Sequence, residues 1–476
     1  MINLLYAMQT KKITLHEALN DAPLSLFHYK AMLTAGIGFF TDAYDLFVIG
    51  TAIVLIKEQW NLSPVEVGLL GSSTLIATFA GAFIFGHLAD KLGRKAVYGL
   101  EAIIMAAFAL ASAFSPNFLT LLILRIILGF GIGGDYPVSG VIMSEYSNRA
   151  NRGKLVGLVF SMQALGLIIG PVVALTLLAS GINHDLVWRI LLGLGALPAL
   201  GVIYFRRTLP ESPRFLASVK GRHDLAAKHM HQLSGGIVRA TAISRRKVTH
   251  SFRSFITKRR NLTLLLGTAG SWFLLDYAYY GNTISTPLVL KTVAPNASLI
   301  QATAWSLIIF TIAAAPGYIA SFSLIDKIGH KRLQWIGFVV MGICFMLIGI
   351  IPGIIHSVLP FLLLYGLSYF FIEFGPNVTT FVIPTEVFTV NGRTTGHGIS
   401  AGIGKVGAFI GVFIFPLLNA RLGLAGTLLL SGGFSFAGAL LTLILPEPAG
   451  KSLEDASEEN IIHAKRKSAY LSAKSK

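Results

Sequence analysis

Along nearly the whole chain, uninterrupted apolar stretches of about twenty residues or more alternate with short polar breaks. A helix of about 20 apolar residues crosses the ~30 Å hydrocarbon core of a bilayer. Twelve such stretches are predicted, near 27–56, 63–88, 96–114, 117–143, 153–180, 187–206, 262–290, 299–325, 332–353, 358–386, 396–420 and 423–445. Lipid offers no hydrogen-bond partners, and helices satisfy their backbone groups internally. The pattern therefore predicts an all-α membrane protein of twelve transmembrane helices. The opening segment has no basic stretch leading into a short apolar core and a cleavage site, so the first span is expected to act as its own insertion signal. Cys344, the one cysteine, permits no intramolecular disulfide and reads as a small buried hydrophobe.

Composition excludes a soluble chain: 54% of the residues are hydrophobic and 13% charged, about half the charged share of a globular protein. The formal charge is +17, from 39 Lys and Arg against 22 Asp and Glu, which in a soluble protein would suggest a nucleic-acid partner. The cations are segregated instead. Lys57, Arg189, Lys291 and Arg421 are the few on one side of the spans. The other side holds Lys91, Arg94 and Lys95; Arg149, Arg152 and Lys154; Lys327, Lys331 and Arg332; and a basic stretch from Arg206 to Arg260. Cytoplasmic loops retain Lys and Arg, so both termini and the central loop are expected in the cytoplasm. The basic balance reports topology, with the bilayer as partner and no nucleic acid.

The two halves of the chain repeat each other. GHLADKLGRK at 86–95 returns as SFSLIDKIGHKR at 321–332, with Asp90 matching Asp326; FFTDAY at 39–44 returns as FLLDYAY at 273–279, with Asp42 matching Asp276. Glu145 and Arg152 are seven apart, as are Glu386 and Arg393; Tyr136 falls opposite Asn377 and Gln163 opposite Lys405. Parallel repeats imply two pseudosymmetric six-helix bundles about an axis along the membrane normal. The expected organisation is a cytoplasmic segment 1–26, a bundle 27–206, a basic loop 207–260, a bundle 261–445 and a cytoplasmic tail 446–476. Within the loop, 223–234 has the pattern of an amphipathic surface helix, and the tail carries KRK at 465–467 facing anionic lipid.

An ionisable group at a helix centre costs roughly 2.5–3.5 kcal/mol on insertion scales, so each needs a reason. Span 1 carries Asp42 and Asp45, span 4 Arg125 and Asp135, span 7 Asp276, span 10 Glu373 and span 11 Lys405. Mutual pairing between helices is the plain structural explanation, and for Arg125 it weighs as much as a functional one. Trp272, Asp276 and Tyr280 follow at steps of four, one stripe about 12 Å long, and an Asp between aromatics favours a wall facing a lumen. Asp90, Arg94, Glu145 and Arg152, with Asp326, Lys331, Glu386 and Arg393, sit at cytoplasmic helix ends where charge pairs would latch the halves together. Lys91, Lys95 and Arg332 read as topology determinants, and His87 and His397 as polar helix-end residues.

The DKLGRK motif, its second copy and PESPR at 210–214 resemble the major facilitator superfamily. GFFTDAYDLF at 38–47, GIGGDYPVSGVIMSEY at 131–146, SWFLLDYAYYGN at 271–282, FGPN at 374–377 and GKVGA at 404–408 together resemble its phosphate:proton symporters. That resemblance implies phosphate binding by Tyr136, Gln163, Trp272, Asp276, Tyr280, Asn377 and Lys405. It assigns proton coupling to Asp42 and Asp135, with Asp45 a further candidate carrier. The chemistry suits a protonated oxyanion: Lys405 supplies a point charge and Asp276 accepts from a P–OH group, which sulfate lacks. Glu373 departs from the family pattern, where a neutral residue is more usual. The resemblance further implies a plasma-membrane importer of inorganic phosphate and protons, working as a monomer without metal or cofactor. PESPR and LPEPAGKSLE at 445–454 are shared with sugar carriers, so a proton symporter of another small anion or sugar is the alternative; a binding sensor without transport is the other. No nucleotide-binding loop, metal-ligand cluster or nucleophile motif points to an enzyme.

Overall fold

The computed structural model describes residues 14–236 and 251–459, and the regular structure there is helical. The KRK cluster of the tail and part of the central loop lie outside the described residues. Twelve helices carry the fold: α1 (Leu26–Trp60), α2 (Pro64–Leu92), α3 (Arg94–Ser112), α4 (Phe118–Tyr146), α5 (Arg152–Ala179), α6 (His184–Thr208), α7 (Arg259–Ile284), α8 (Leu299–Ile328), α9 (His330–Ile350), α10 (Val358–Val387), and α11 and α12 within Arg393–Thr442. That last run has 50 residues, about 75 Å if straight and too long for one crossing. Gly423, at φ 67, a conformation glycine adopts without a Cβ clash, divides it into two spans. Starts are set locally: Ser63 and Glu66 form a capping box ahead of Pro64, Ser298 and Gln301 do the same for α8, and Asn117 caps α4.

Packing repeats between the halves. In the first, α1 lies on α5, α2 on α4 and α3 on α6; in the second, α7 lies on α11, α8 on α10 and α9 on α12. The halves meet through α2 with α11 and α5 with α8. This is the twelve-helix, two-bundle architecture the repeat predicts. Small residues let the backbones approach, as they do where lipid removes the hydrophobic drive between helices. Gly86 and Gly398 face each other across α2 and α11, and Gly407 and Gly411 of α11 press on the Phe273 and Tyr277 carbonyls of α7. Apolar side chains cover the periphery: Ile312 is 71% exposed, Leu359 68% and Leu440 67%, an arrangement that suits lipid.

Several helices are broken at mid-depth. α5 consists of Arg152–Ser161 and Gln163–Ala179; α10 stops at Phe374 and resumes at Pro376, with Gly375 at φ −115, ψ −99 between; α8 contains a wide turn at Phe310–Ala314. Such breaks free backbone groups and are tolerated where the helix faces protein or a cavity. The end of the bundle that carries the cations is covered by short helices, among them Leu15–Asp21 and His223–Leu233. The latter buries Ala226, Met230 and Leu233, as its amphipathic pattern anticipates.

The α7–α11 contact gives a direct test. A Cβ at Gly407 would stand 2.3 Å from the Phe273 carbonyl oxygen, whereas one at Gly433 meets nothing within 4 Å. Gly407→Ala is expected to destabilise by about 1–3 kcal/mol and lower the melting temperature in detergent, and Gly433→Ala to leave it unchanged.

Candidate functional site

The residues singled out from the sequence fall into four groups. The first is central and draws on both halves. Lys405, on α11 and 2% exposed, donates to Asp276 Oδ2 at 3.0 Å and to the Tyr280 hydroxyl at 2.8 Å. Its Nζ stands 4.8 Å over the Tyr136 ring. The Tyr136 hydroxyl donates to Asp42 Oδ2 at 2.5 Å, and Gln163 Nε2 reaches that hydroxyl at 3.4 Å. Trp272 lies beside Tyr136, ring centroids 6.1 Å apart. Asn377, just past the break in α10, donates to the Tyr318 hydroxyl at 2.9 Å, which donates to Gln163 Oε1 at 3.1 Å. All seven positions that the sequence marks for substrate, and Asp42 with them, therefore lie in one cluster, joined by hydrogen bonds and by the ring contacts of Tyr136 with Lys405 and Trp272. Among the described residues, Lys405 is the one cation in hydrogen-bond contact with this cluster, which also holds the carboxyl groups of Asp42, Asp276 and, beside Asn377, Glu373.

Asp45 and Asp135 stand apart from it. Both oxygens of Asp45 are held by Arg125, at 2.6 and 2.7 Å, in a buried fork. Asp135 accepts from Ser139 and, at 2.9 Å, from Arg206, whose other amine binds Glu101 at 2.9 Å. Glu101 and Arg206 were not marked from the sequence. Glu101 had a signal, an acid inside an apolar run; Arg206 was masked by the basic loop that follows it.

About one helical turn along the chain from Asp42, Gln163 and Asn377, toward the basic end, lies an aromatic layer. Phe39 packs edge-on to Phe381 at 4.9 Å and Phe160 stacks on Phe381 at 4.6 Å. His397 lies in this layer, edge-on to Trp272 and Phe381, fully buried where a helix-end position was expected. On the other side, Gln163, Tyr279, Tyr280 and Thr283 line a cavity of about 20 Å³, room for about one water.

The fourth group is at the basic end and repeats the two-fold pattern. Asp90, ending α2, accepts from the Thr394 and Thr395 amides at the start of α11, at 3.2 and 2.6 Å; Asp326, ending α8, accepts from the Gly153 and Lys154 amides at the start of α5, at 3.0 and 2.7 Å. Each carboxylate of one half thus caps a helix N-terminus of the other, where the dipole favours an anion. The glutamates cross over as well: Glu145 binds Arg94 at 3.0 Å and Arg393 at 3.1 Å, and Glu386 binds Arg152 at 2.8 Å and His330 at 3.1 Å. Lys331 is not among them. Its Nζ donates to the Leu443 carbonyl, and His330 takes the place that matches Arg94, because the repeat aligns Gly-Arg-Lys with Gly-His-Lys. Gly93 and Gly329, at φ 122 and 100, make the matching turns. The PESPR and LPEPAGKSLE motifs meet beside this cluster: Arg214 and His16 hold Glu454. Burial would raise that carboxyl, but Arg214 and His16 more than reverse the effect and hold it well below the usual range.

The chain matches the family described as "Sugar (and other) transporter" over residues 31–459. It is 38% identical to the "Probable inorganic phosphate transporter 1-6" of Arabidopsis thaliana, covering 93% of this chain and 96% of that one, and 36% identical to the "Inorganic phosphate transporter 1-11" of Oryza sativa subsp. japonica, covering 93% and 90%. A solved structure of a proton:xylose symporter bound to 6-bromo-6-deoxy-D-glucose superposes with a TM-score of 0.75 at 20% identity, over 91% of this chain and 98% of that one. The fold and site thus define a multi-pass transporter of the major facilitator superfamily. Within it, the chain belongs to the family of the inorganic phosphate transporters.

The Arg125–Asp45 fork predicts a structural role. Asp45→Asn is expected to cost about 3 kcal/mol or more by leaving a buried guanidinium unpaired. Asp45→Leu combined with Arg125→Leu is expected to recover most of that loss in thermal unfolding.

Proposed function

We propose that the protein imports inorganic phosphate with protons across the plasma membrane by alternating access, with both termini in the cytoplasm. A single chain contains the whole site, so a monomer suffices. The observation that carries this reading is Lys405: one ammonium group in the membrane core, paired with Asp276 and within the field of Asp42 from the other half. It attracts an oxyanion, yet the surrounding carboxylates make the site too negative to accept one unless protons enter with it. Moving phosphate into a negative cell is also opposed electrically, by about 2.3 kcal/mol per charge per 100 mV, and cotransported protons offset this.

In this conformation Lys405 is taken up by Asp276, and the adjoining cavity is too small for phosphate. Loading therefore requires that ion pair to open. Lys405 then turns to the anion, Asp276 accepts its P–OH group, and Tyr136, Gln163, Trp272, Tyr280 and Asn377 supply donors. Asp42, with no cation in hydrogen-bond contact, is the first proton site. Asp135 is a second, because Arg206 provides one positive charge for Asp135 and Glu101 together. Asp45 is neutralised by Arg125 and serves as an anchor. The crossed pairs at the basic end act as the cytoplasmic gate, and rocking of the halves breaks them to release substrate inward.

Reconstituted in proteoliposomes, the wild type is expected to accumulate phosphate under an inward proton gradient. Lys405→Ala and Asp276→Asn are each expected to lower uptake at least about tenfold, the effect of 1.4 kcal/mol. Arsenate should compete, and sulfate and hexoses should not; competition by a hexose would replace phosphate with sugar. The gate has its own test. In a Cys344→Ala background, Ser144→Cys is buried beside the Thr385 carbonyl, and Glu386→Gln should speed its labelling from the cytoplasmic side several-fold, whereas unchanged labelling would remove Glu386 from the gate.

A further inference from the structure

Glu373 is fully buried on α10, four residues before Asn377. Its Oε2 accepts from Asn377 Nδ2 at 2.5 Å, and the hydroxyls of Tyr279 and Tyr318 stand beside the carboxyl. The titratable groups that act on it are the phenols of Tyr279 on α7, Tyr318 on α8 and Tyr369 on α10, and the carboxyl of Asp276. Among the described residues no Lys, Arg or His forms an ion pair with it. The α8 backbone leaves no space beside it either, since a Cβ at Gly317 would stand 3.0 Å from that of Glu373. A carboxylate buried without a cation costs several kcal/mol, which makes Glu373 a group able to take up and release a proton. It is also connected to the substrate site. Asn377 bonds to Tyr318, Tyr318 to Gln163, and Gln163 approaches Asp42 Oδ2 at 3.5 Å. A continuous polar chain therefore runs from Asp42 in one half to Glu373 in the other.

We propose that Glu373 is a coupling residue of this transporter, carrying a proton in addition to the one on Asp42 in every phosphate cycle. The proposal rests on the phosphate:proton reading above. The link is Asn377. A charged Glu373 holds the Asn377 amide to itself and adds a negative charge near the entering anion; a protonated one relaxes its hold, so the amide can turn an N–H toward phosphate. Proton and anion then favour each other's binding. The proton comes from the outer solution onto the Glu373 carboxyl and leaves to the cytoplasm after phosphate is released, when the carboxylate recaptures Asn377.

The test is the proton-to-phosphate ratio of the full-length protein in proteoliposomes, read from the steady-state accumulation of radiolabelled phosphate at zero membrane potential. That limit depends on stoichiometry and not on rate, so a slowed variant still reports it. With an inward gradient of one pH unit, Glu373→Gln is expected to lower the limit about tenfold, one proton's worth, while Glu373→Asp keeps the wild-type limit. If Glu373→Gln abolishes net uptake but retains phosphate–phosphate exchange, the proposal also stands, because exchange needs binding and reorientation without proton turnover. An unchanged limit in Glu373→Gln overturns it. So does loss of both uptake and exchange in a variant with wild-type thermal unfolding, which would make Glu373 a binding residue. Failure of the wild type to accumulate phosphate would instead strike the underlying reading, before any variant is compared.

Discussion

The substrate-facing core of this protein is arranged around a single lysine, Lys405. An ammonium group taken out of water loses several kcal/mol of solvation that only close, well-directed carboxylates and dipoles return. Lys405 has Asp276, the Tyr280 hydroxyl and the face of Tyr136. A lone pairing of Lys405 with Asp276 would be a static ion pair. Asp42 and Glu373, joined to it through tyrosine and amide side chains, turn it into a site with more acid than base, the feature on which the proposed proton coupling rests. Breaks in α5 and α10 lie immediately beside Gln163 and Asn377, two of the amide side chains of this cluster.

The repeat also sets the contacts between the halves at the basic end. Asp90 caps α11 and Asp326 caps α5; Glu145 holds Arg393 and Glu386 holds Arg152. Each contact between the halves therefore has a copy with the partners exchanged. Opening the basic end strains both copies together, which favours a concerted change over a gradual one. The departures from symmetry are equally informative. Arg94 is a guanidinium whereas its counterpart His330 is an imidazole, and the two pair with Glu145 and Glu386 respectively.

Much of this was legible in the chain itself. Twelve spans, their grouping in two halves and the six residues gathered with Lys405 follow from apolar run lengths, the Asp90/Asp326 repeat and the motif strings, because lipid leaves few uses for polar side chains and makes each one conspicuous. What stayed hidden depends on which helices touch. Asp45 and Asp135 have the same sequence signature as Asp42, and only the approach of α4 and α6 to α1 and α4 shows that two of the three are committed to arginines. Arg206 and His330 sit beside other basic residues at helix ends, so burial alone distinguishes them. Tyr318 had no signal at all, since a tyrosine in an apolar span is ordinary.

The central claim is that Lys405 exchanges Asp276 for the transported anion. The most direct measurement is a structure of the protein determined with phosphate or arsenate. The account predicts the anion bonded to Lys405 Nζ, with Asp276 accepting from its protonated oxygen and the present 3.0 Å ion pair opened beyond contact distance. An anion bound elsewhere while Lys405 and Asp276 remain paired would contradict it.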